Sequence, residues 1–187
     1  MKKILGVVGS PRRRGNTDLL VSAILAAAEE AGAEVEKIML RDLRIRECDG
    51  CHTCWKGKPC SKRDDMNGLY PKIIASDVII FGTPVYWFGP TALIKAFLDR
   101  FVYFNGPKTR RLIQGKAAVL AAPFEDTTRR TAAPLLAMFE KSLDYLEMNL
   151  VATLLVPGVG ERGEILKKKA HLKKASALGR RLAGRKD

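Results

Sequence analysis

The sequence lacks several features, and each absence narrows its role. No apolar run is long enough to cross a bilayer, and the opening residues MKKILGVVGS lack the apolar core of a secretory signal. We therefore expect a cytoplasmic protein with no membrane contact. The loop after the first apolar run has neither the Lys-Ser/Thr pair of a P-loop nor a G-x-G-x-x-G fingerprint, so it matches neither of the two best-known phosphate signatures. No side chain stands out as a general acid or base. Internal repeats, low-complexity tracts and linkers are absent, so residues 1–187 are expected to form a single domain. No helix-turn-helix pattern or RNA-binding aromatic signature is present, and specific nucleic-acid binding is not expected.

Acidic residues are the minority. Lys and Arg number 33 against 20 Asp and Glu, a net charge of +13. Such a field attracts anionic ligands and acidic partner proteins, an electron-transfer protein such as a ferredoxin among them. Much of the excess lies in the C-terminal segment, so charge alone does not choose a function.

What is present begins at residues 1–17. Ile4, Leu5, Val7 and Val8 make a short apolar run suited to a central parallel strand. Gly9-Ser10-Pro11 breaks it, Arg12 to Arg14 add positive charge, and Gly15-Asn16-Thr17 leads into a helix with Asn16 or Thr17 as N-cap. A helix start of this kind suits a terminal phosphate: its free N–H groups, its dipole and the Ser10, Asn16 and Thr17 side chains can converge on one anion.

Further along, apolar spacing predicts a helix over 17–31, stopped by Gly32, and a strand over 33–40. Helices are expected over 66–75, where Pro71 can shorten or kink the helix, from Pro90 to about 101, and over 131–146 and 164–183. Strands are expected over 76–82, 116–122 and 148–156. Strands alternating with helices make an α/β doubly wound parallel sheet with helices on both faces. With the phosphate loop after strand one, the expected strand order is 2-1-3-4-5, which brings the loops 9–17 and 83–89 together at one crevice.

Residues 41–65 have no apolar periodicity and hold all four cysteines, Cys48, Cys51, Cys54 and Cys60, spaced C-x2-C-x2-C-x5-C. Such a stretch is too long for a plain connection and reads as a functional insertion. Four close thiolates suit an iron–sulfur cubane, and the flanking Arg44, Arg46, Lys56, Lys58, Lys62 and Arg63 would stabilise its negative charge. Tetrahedral zinc, free thiols and pairing on oxidation stay open. His52 reads as a solvated loop residue.

The loop Thr83-Pro84-Val85-Tyr86-Trp87-Phe88-Gly89-Pro90 is aromatic and rigid. It suits the flat apolar ring of a flavin, or it closes the end of the core. GSPRRRGNT, then TPVYW, then KAFLDRF resembles the NADPH-dependent FMN reductase group of flavodoxin-like proteins. ECDGCHTCWKGKPCSKRDDM resembles the compact cysteine motif of the iron–sulfur flavoproteins, and PGVGERGEILKKKAHLKKASALGRRL is similar to that family's last loop and helix. The resemblance implies a flavodoxin-like fold and non-covalent FMN. The phosphate would sit on Ser10, Arg12, Asn16 and Thr17, and the ring against Pro84, Val85, Tyr86 and Trp87. It also implies a homodimer or homotetramer with flavin near a subunit interface. Related proteins carry a Gly-containing loop after strand four that touches the flavin. Residues 123–127, PFEDT, depart from it and are not counted among the expected contacts. The resulting reading is an FMN-dependent oxidoreductase that passes electrons between a reduced donor such as NAD(P)H, FMN and a 4Fe–4S cluster on Cys48, Cys51, Cys54 and Cys60. Alternatives are an NAD(P)H-dependent FMN or quinone reductase without a cluster, and a non-enzymatic electron carrier.

Overall fold

The apolar runs pair into one sheet. The structure, a computed structural model, describes residues 1–184. Strands β1 (Lys3–Val8), β2 (Glu34–Met39), β3 (Val78–Gly82), β4 (Ala117–Pro123) and β5 (Asn149–Val156) are parallel and stand in the order β2-β1-β3-β4-β5. This is the expected order. The helices are α1 (Asn16–Glu30), α2 (Met66–Ala75), α3 (Ala92–Asp99), α4 (Ala133–Tyr145) and α5 (Lys169–Leu182).

Strand alternation sends side chains to two cores. Ile4 and Val8 of β1 face α1 and α5, packing with Leu20, Val21, Ile24 and Leu178. Leu5 and Val7 face α2, α3 and α4, packing with Ile73, Phe97 and Phe139. Phe81 of β3 sits among three rings of that second core, Phe97, Phe101 and Phe139, with centroids 5.4–6.4 Å away. On the other face α5 closes directly on α1. A Cβ at Gly179 would lie 2.1 Å from the Ile24 carbonyl oxygen, so only glycine permits that approach.

Several boundaries differ from the sequence expectation. Gly15, with extended backbone (φ −79°, ψ 174°), is the N-cap of α1, so Asn16 and Thr17 lie inside the helix. Helix α3 begins after Thr91, whose Oγ1 accepts the Ile94 N–H at 3.3 Å, which leaves Pro90 outside. Helix α2 continues through Pro71. The helices expected from 131 and 164 open as 3-10 turns, Arg129–Ala132 and Glu164–Lys167, before α4 and α5 begin. Gly32 does end α1, at φ 92°, where the left-handed region costs glycine little. Among the described residues no helix is long and apolar enough to cross a membrane.

Candidate functional site

The crevice forms where β1 and β3 end. The Gly9 N–H donates to the Gly82 carbonyl at 2.7 Å, and the Thr91 hydroxyl donates to the Gly9 carbonyl at 2.6 Å. These bonds fix the start of both loops. In the first loop the Ser10 hydroxyl oxygen accepts the Arg12 N–H, and Arg14 turns the chain at φ 53°. The Arg14 N–H donates to the Asp18 carboxylate at 2.9 Å. Burial pushes that carboxyl up, but the Lys37 ammonium at 2.8 Å and the Arg14 N–H outweigh it, and the Asp18 carboxyl lies below the usual range. The backbone N–H groups of Asn16, Thr17 and Asp18 meet no acceptor among the described residues. They are the orphan donors of a helix start, with the positive end of the dipole behind them.

In the second loop, Tyr86 and Gly89 exchange two backbone hydrogen bonds of 2.9 Å. The two residues between them, Trp87 and Phe88, sit at φ 47° and 64°. Asn and Gly are the residues that suit such a turn, and bulky side chains there cost of order 1 kcal/mol each. The turn holds Trp87 in solvent at 95% exposure, with Tyr86 and Phe88 about half exposed. Strain of this kind is typical of functional loops.

A third wall comes from the loop after β5. The Asn16 amide Nδ2 donates to the Glu161 and Val159 carbonyls at 2.8 and 3.3 Å, while its Oδ1 accepts the Ile165 N–H. Arg12 Nη1 donates to the Gly160 carbonyl at 2.9 Å. Glu164 accepts the N–H groups of Gly160 and Glu161, which hold its carboxyl below the usual range. A Cβ at Gly160 would meet Glu125 at 2.9 Å, so glycine lets this loop close on the loop after β4.

Ser10, Arg12, Asn16, Thr17, Pro84, Val85 and Tyr86 all line one cavity of about 110 Å³. Trp87 does not; it stands outside in solvent. Asn16 lines the cavity, yet its amide is engaged by the loop 159–165. Sequence reasoning missed Pro123, Phe124, Glu125, Val159 and Gly160, which complete the lining. The glycines at 158, 160 and 163, a G-x-G-x-x-G spacing after β5, were the available signal for the last two.

The four cysteines are all free. Among the described residues no group of three or more His, Cys, Asp or Glu side chains is placed to hold a metal ion, which bears equally on a zinc site and on a cluster. Burial, then the Cys60 and Cys48 thiols, push the Cys54 thiol above its ordinary range. Cys51 is exposed and bonded to Ser61 and Thr53, whose hydroxyls hold its thiol below the ordinary range. The insertion is pinned to the 3-10 turn after α3. Trp55 Nε1 donates to the Val102 carbonyl at 2.7 Å, and Arg100 Nη2 donates to Cys60 Sγ at 3.2 Å. Four free thiols in one loop match thiolate ligation in residue type, but their placement does not bring them together as a ligand set, and Cys51 faces its hydroxyl partners.

A 2-1-3-4-5 parallel sheet with an anion-ready helix start at the β1/β3 crevice defines a flavodoxin-like domain. Residues 2–156 match the family of NADPH-dependent FMN reductases, and the chain belongs to that family of oxidoreductases. It is similar to an iron–sulfur flavoprotein of Archaeoglobus fulgidus, 34% identical over 191 aligned positions that cover 97% of this chain and 79% of the relative. A Bacillus subtilis protein provisionally named an NAD(P)H-dependent FMN-containing oxidoreductase is 29% identical over 185 positions, covering 96% of this chain and 97% of that one. Among solved structures, the Trp repressor binding protein of Bacillus subtilis superposes with a TM-score of 0.72 at 26% identity, covering 95% of this chain and 98% of that one.

Proposed function

We propose that the chain is an FMN-dependent oxidoreductase of the iron–sulfur flavoprotein type. The observation that carries the FMN part of this reading is the cavity at the β1/β3 crevice, lined by Asn16 and Thr17, whose backbone N–H groups are unpaired, together with Ser10 and Arg12. Those donors fit a phosphate. At about 110 Å³ the cavity falls short of the ~300–1,000 Å³ of a site that encloses a whole ligand. It suits the phosphate end of FMN and leaves the ring to lie outward against Pro84, Val85, Tyr86 and Trp87. Arg12 and Asn16 act partly at one remove, by fixing the loop 159–165 as a wall.

Bound FMN would supply the redox chemistry, taking a hydride from a donor such as NAD(P)H and releasing electrons singly. The protein's part is binding, orientation and exclusion of water. Cys48, Cys51, Cys54 and Cys60 would hold a 4Fe–4S cluster, with the basic flank offsetting its charge. The exposed Trp87 and Phe88 support a homodimer or homotetramer that covers them, and the net charge of +13 supports an acidic electron-transfer partner such as a ferredoxin. A cytoplasmic setting fits the four reduced cysteines.

The outward bonding of Cys51 to Ser61 and Thr53 favours a second reading, an NAD(P)H-dependent FMN or quinone reductase without a cluster. Anaerobic purification, followed by analysis of extracted flavin, iron and acid-labile sulfide, separates the two. FMN with iron and sulfide supports the first, FMN alone moves the protein to the second, and no flavin after reconstitution overturns both.

A further inference from the structure

Among the described residues, Glu125 is the one carboxylate in the lining of the crevice cavity. Its backbone is fixed from both sides. The Phe124 N–H donates to the Val156 carbonyl at 2.9 Å, the Val159 N–H to the Phe124 carbonyl at 2.9 Å and the Gly158 N–H to the Asp126 carbonyl at 3.0 Å. The Asp126 carboxylate then accepts the Thr128 N–H and the Thr131 hydroxyl, which closes the turn beyond. The Glu125 side chain lies over Gly160, where a Cβ would meet its Cγ at 2.9 Å and its Oε1 at 3.4 Å. Arg12 reaches the same glycine and donates to its carbonyl at 2.9 Å. The two charges do not pair. Among the described residues the Glu125 carboxylate has no hydrogen bond and no ion pair.

A bare carboxylate beside an anion site works against that site. It repels a phosphate and opposes what the start of α1 and Arg12 supply. A ligand with a donor at that position reverses the sign. FMN has few donors. Its phosphate is chiefly an acceptor, which leaves the hydroxyls of the ribityl chain and the N3–H of the ring. A cavity of about 110 Å³ leaves the ring, with its N3–H, outside against Pro84, Val85, Tyr86 and Trp87. The part of the ligand that shares the cavity with Glu125 is the chain attached to the phosphate.

We propose that Glu125 is a binding residue for the ribityl chain: its carboxylate accepts a chain hydroxyl and fixes the chain between the phosphate donors and the aromatic loop. This rests on the FMN reading above and involves no other cofactor. The two charges at Gly160 thus serve two parts of one ligand, Arg12 the phosphate end and Glu125 the hydroxyls.

The test is a fluorescence titration of the flavin-free full chain, wild type and Glu125→Ala. The ligands are FMN and an analogue whose chain keeps the terminal phosphate but carries no hydroxyls. Both have the ring and the phosphate, so the comparison isolates the hydroxyls. The wild type should prefer FMN by at least ~10-fold, the size expected of a hydrogen bond to a charged group. Glu125→Ala should lose most of that preference, while the analogue binds as tightly as before or more tightly, because the repulsion of its phosphate is gone. Glu125 is exposed and bonds to nothing, so the variant should keep the wild-type urea midpoint. If Glu125→Ala does not fold, Glu125→Gln decides: a smaller preference for FMN supports the proposal and an unchanged one overturns it. A preference that Glu125→Ala leaves intact overturns it, as does a wild type that binds the two ligands alike. A wild type that binds neither overturns it together with the FMN reading. Failure of the phosphate assignment is read from a different pair of ligands, FMN and riboflavin, so the two failures are distinguishable.

Discussion

The Oδ1 atom of Asn16 accepts the backbone N–H of Ile165 at 3.1 Å, across 149 residues of chain. With the two bonds from its Nδ2, this one amide ties the start of α1 to the loop before α5. The loop after β1 and the loop before α5 are therefore joined through one side chain.

Asn16→Ala removes three hydrogen bonds at about 1 kcal/mol each, so the variant should lose roughly 2–3 kcal/mol of unfolding free energy in denaturant titration. Trypsin should also cut faster at the exposed Arg162 in the freed loop. A loss below about 0.5 kcal/mol with unchanged proteolysis would mean the loop stands without Asn16.

Sheet order and the meeting of two loops were legible from the sequence, because alternating apolar runs and the position of the first loop leave few topologies. The role of Asn16 was not. Its type suits a cap, but Gly15 takes the cap and the amide reaches a segment far along the chain. Local pattern carries no information about a partner 149 residues away. The loop 123–127 has no glycine to signal a contact; the glycine that permits the close approach is Gly160, on the opposite wall. The cysteine spacing was plain, whereas the bond from Arg100 to Cys60 depends on how α3 crosses the insertion.

The turn at 86–89 should trade stability for binding. Replacing Trp87→Asn and Phe88→Gly together supplies the residues that the two left-handed positions prefer. Stability in urea should rise by about 1 kcal/mol, while flavin affinity falls through loss of the ring wall. A variant that loses stability, or that binds flavin as before, would show that the aromatic pair is structural.

Asp18 gives the loop after β1 a pH signature. Its carboxyl is held below its ordinary range in the folded chain, so it contributes stability that is present above the unfolded value near 4 and lost as pH falls through the folded value. Asp18→Asn should therefore cost on the order of 2 kcal/mol between pH 5 and 8, and the gap to wild type should close toward pH 3. A gap that persists unchanged at pH 3 would assign the effect to packing.

The most direct test of the central claim is an equilibrium fluorescence titration of the flavin-free full chain with FMN and with riboflavin, which differ only in the phosphate. The account predicts that FMN binds at least ~10-fold more tightly, a difference of about 1.4 kcal/mol or more. Thr17→Val should narrow that gap while leaving riboflavin affinity unchanged. Equal affinity for the two flavins would contradict the assignment of the α1 crevice as a phosphate site.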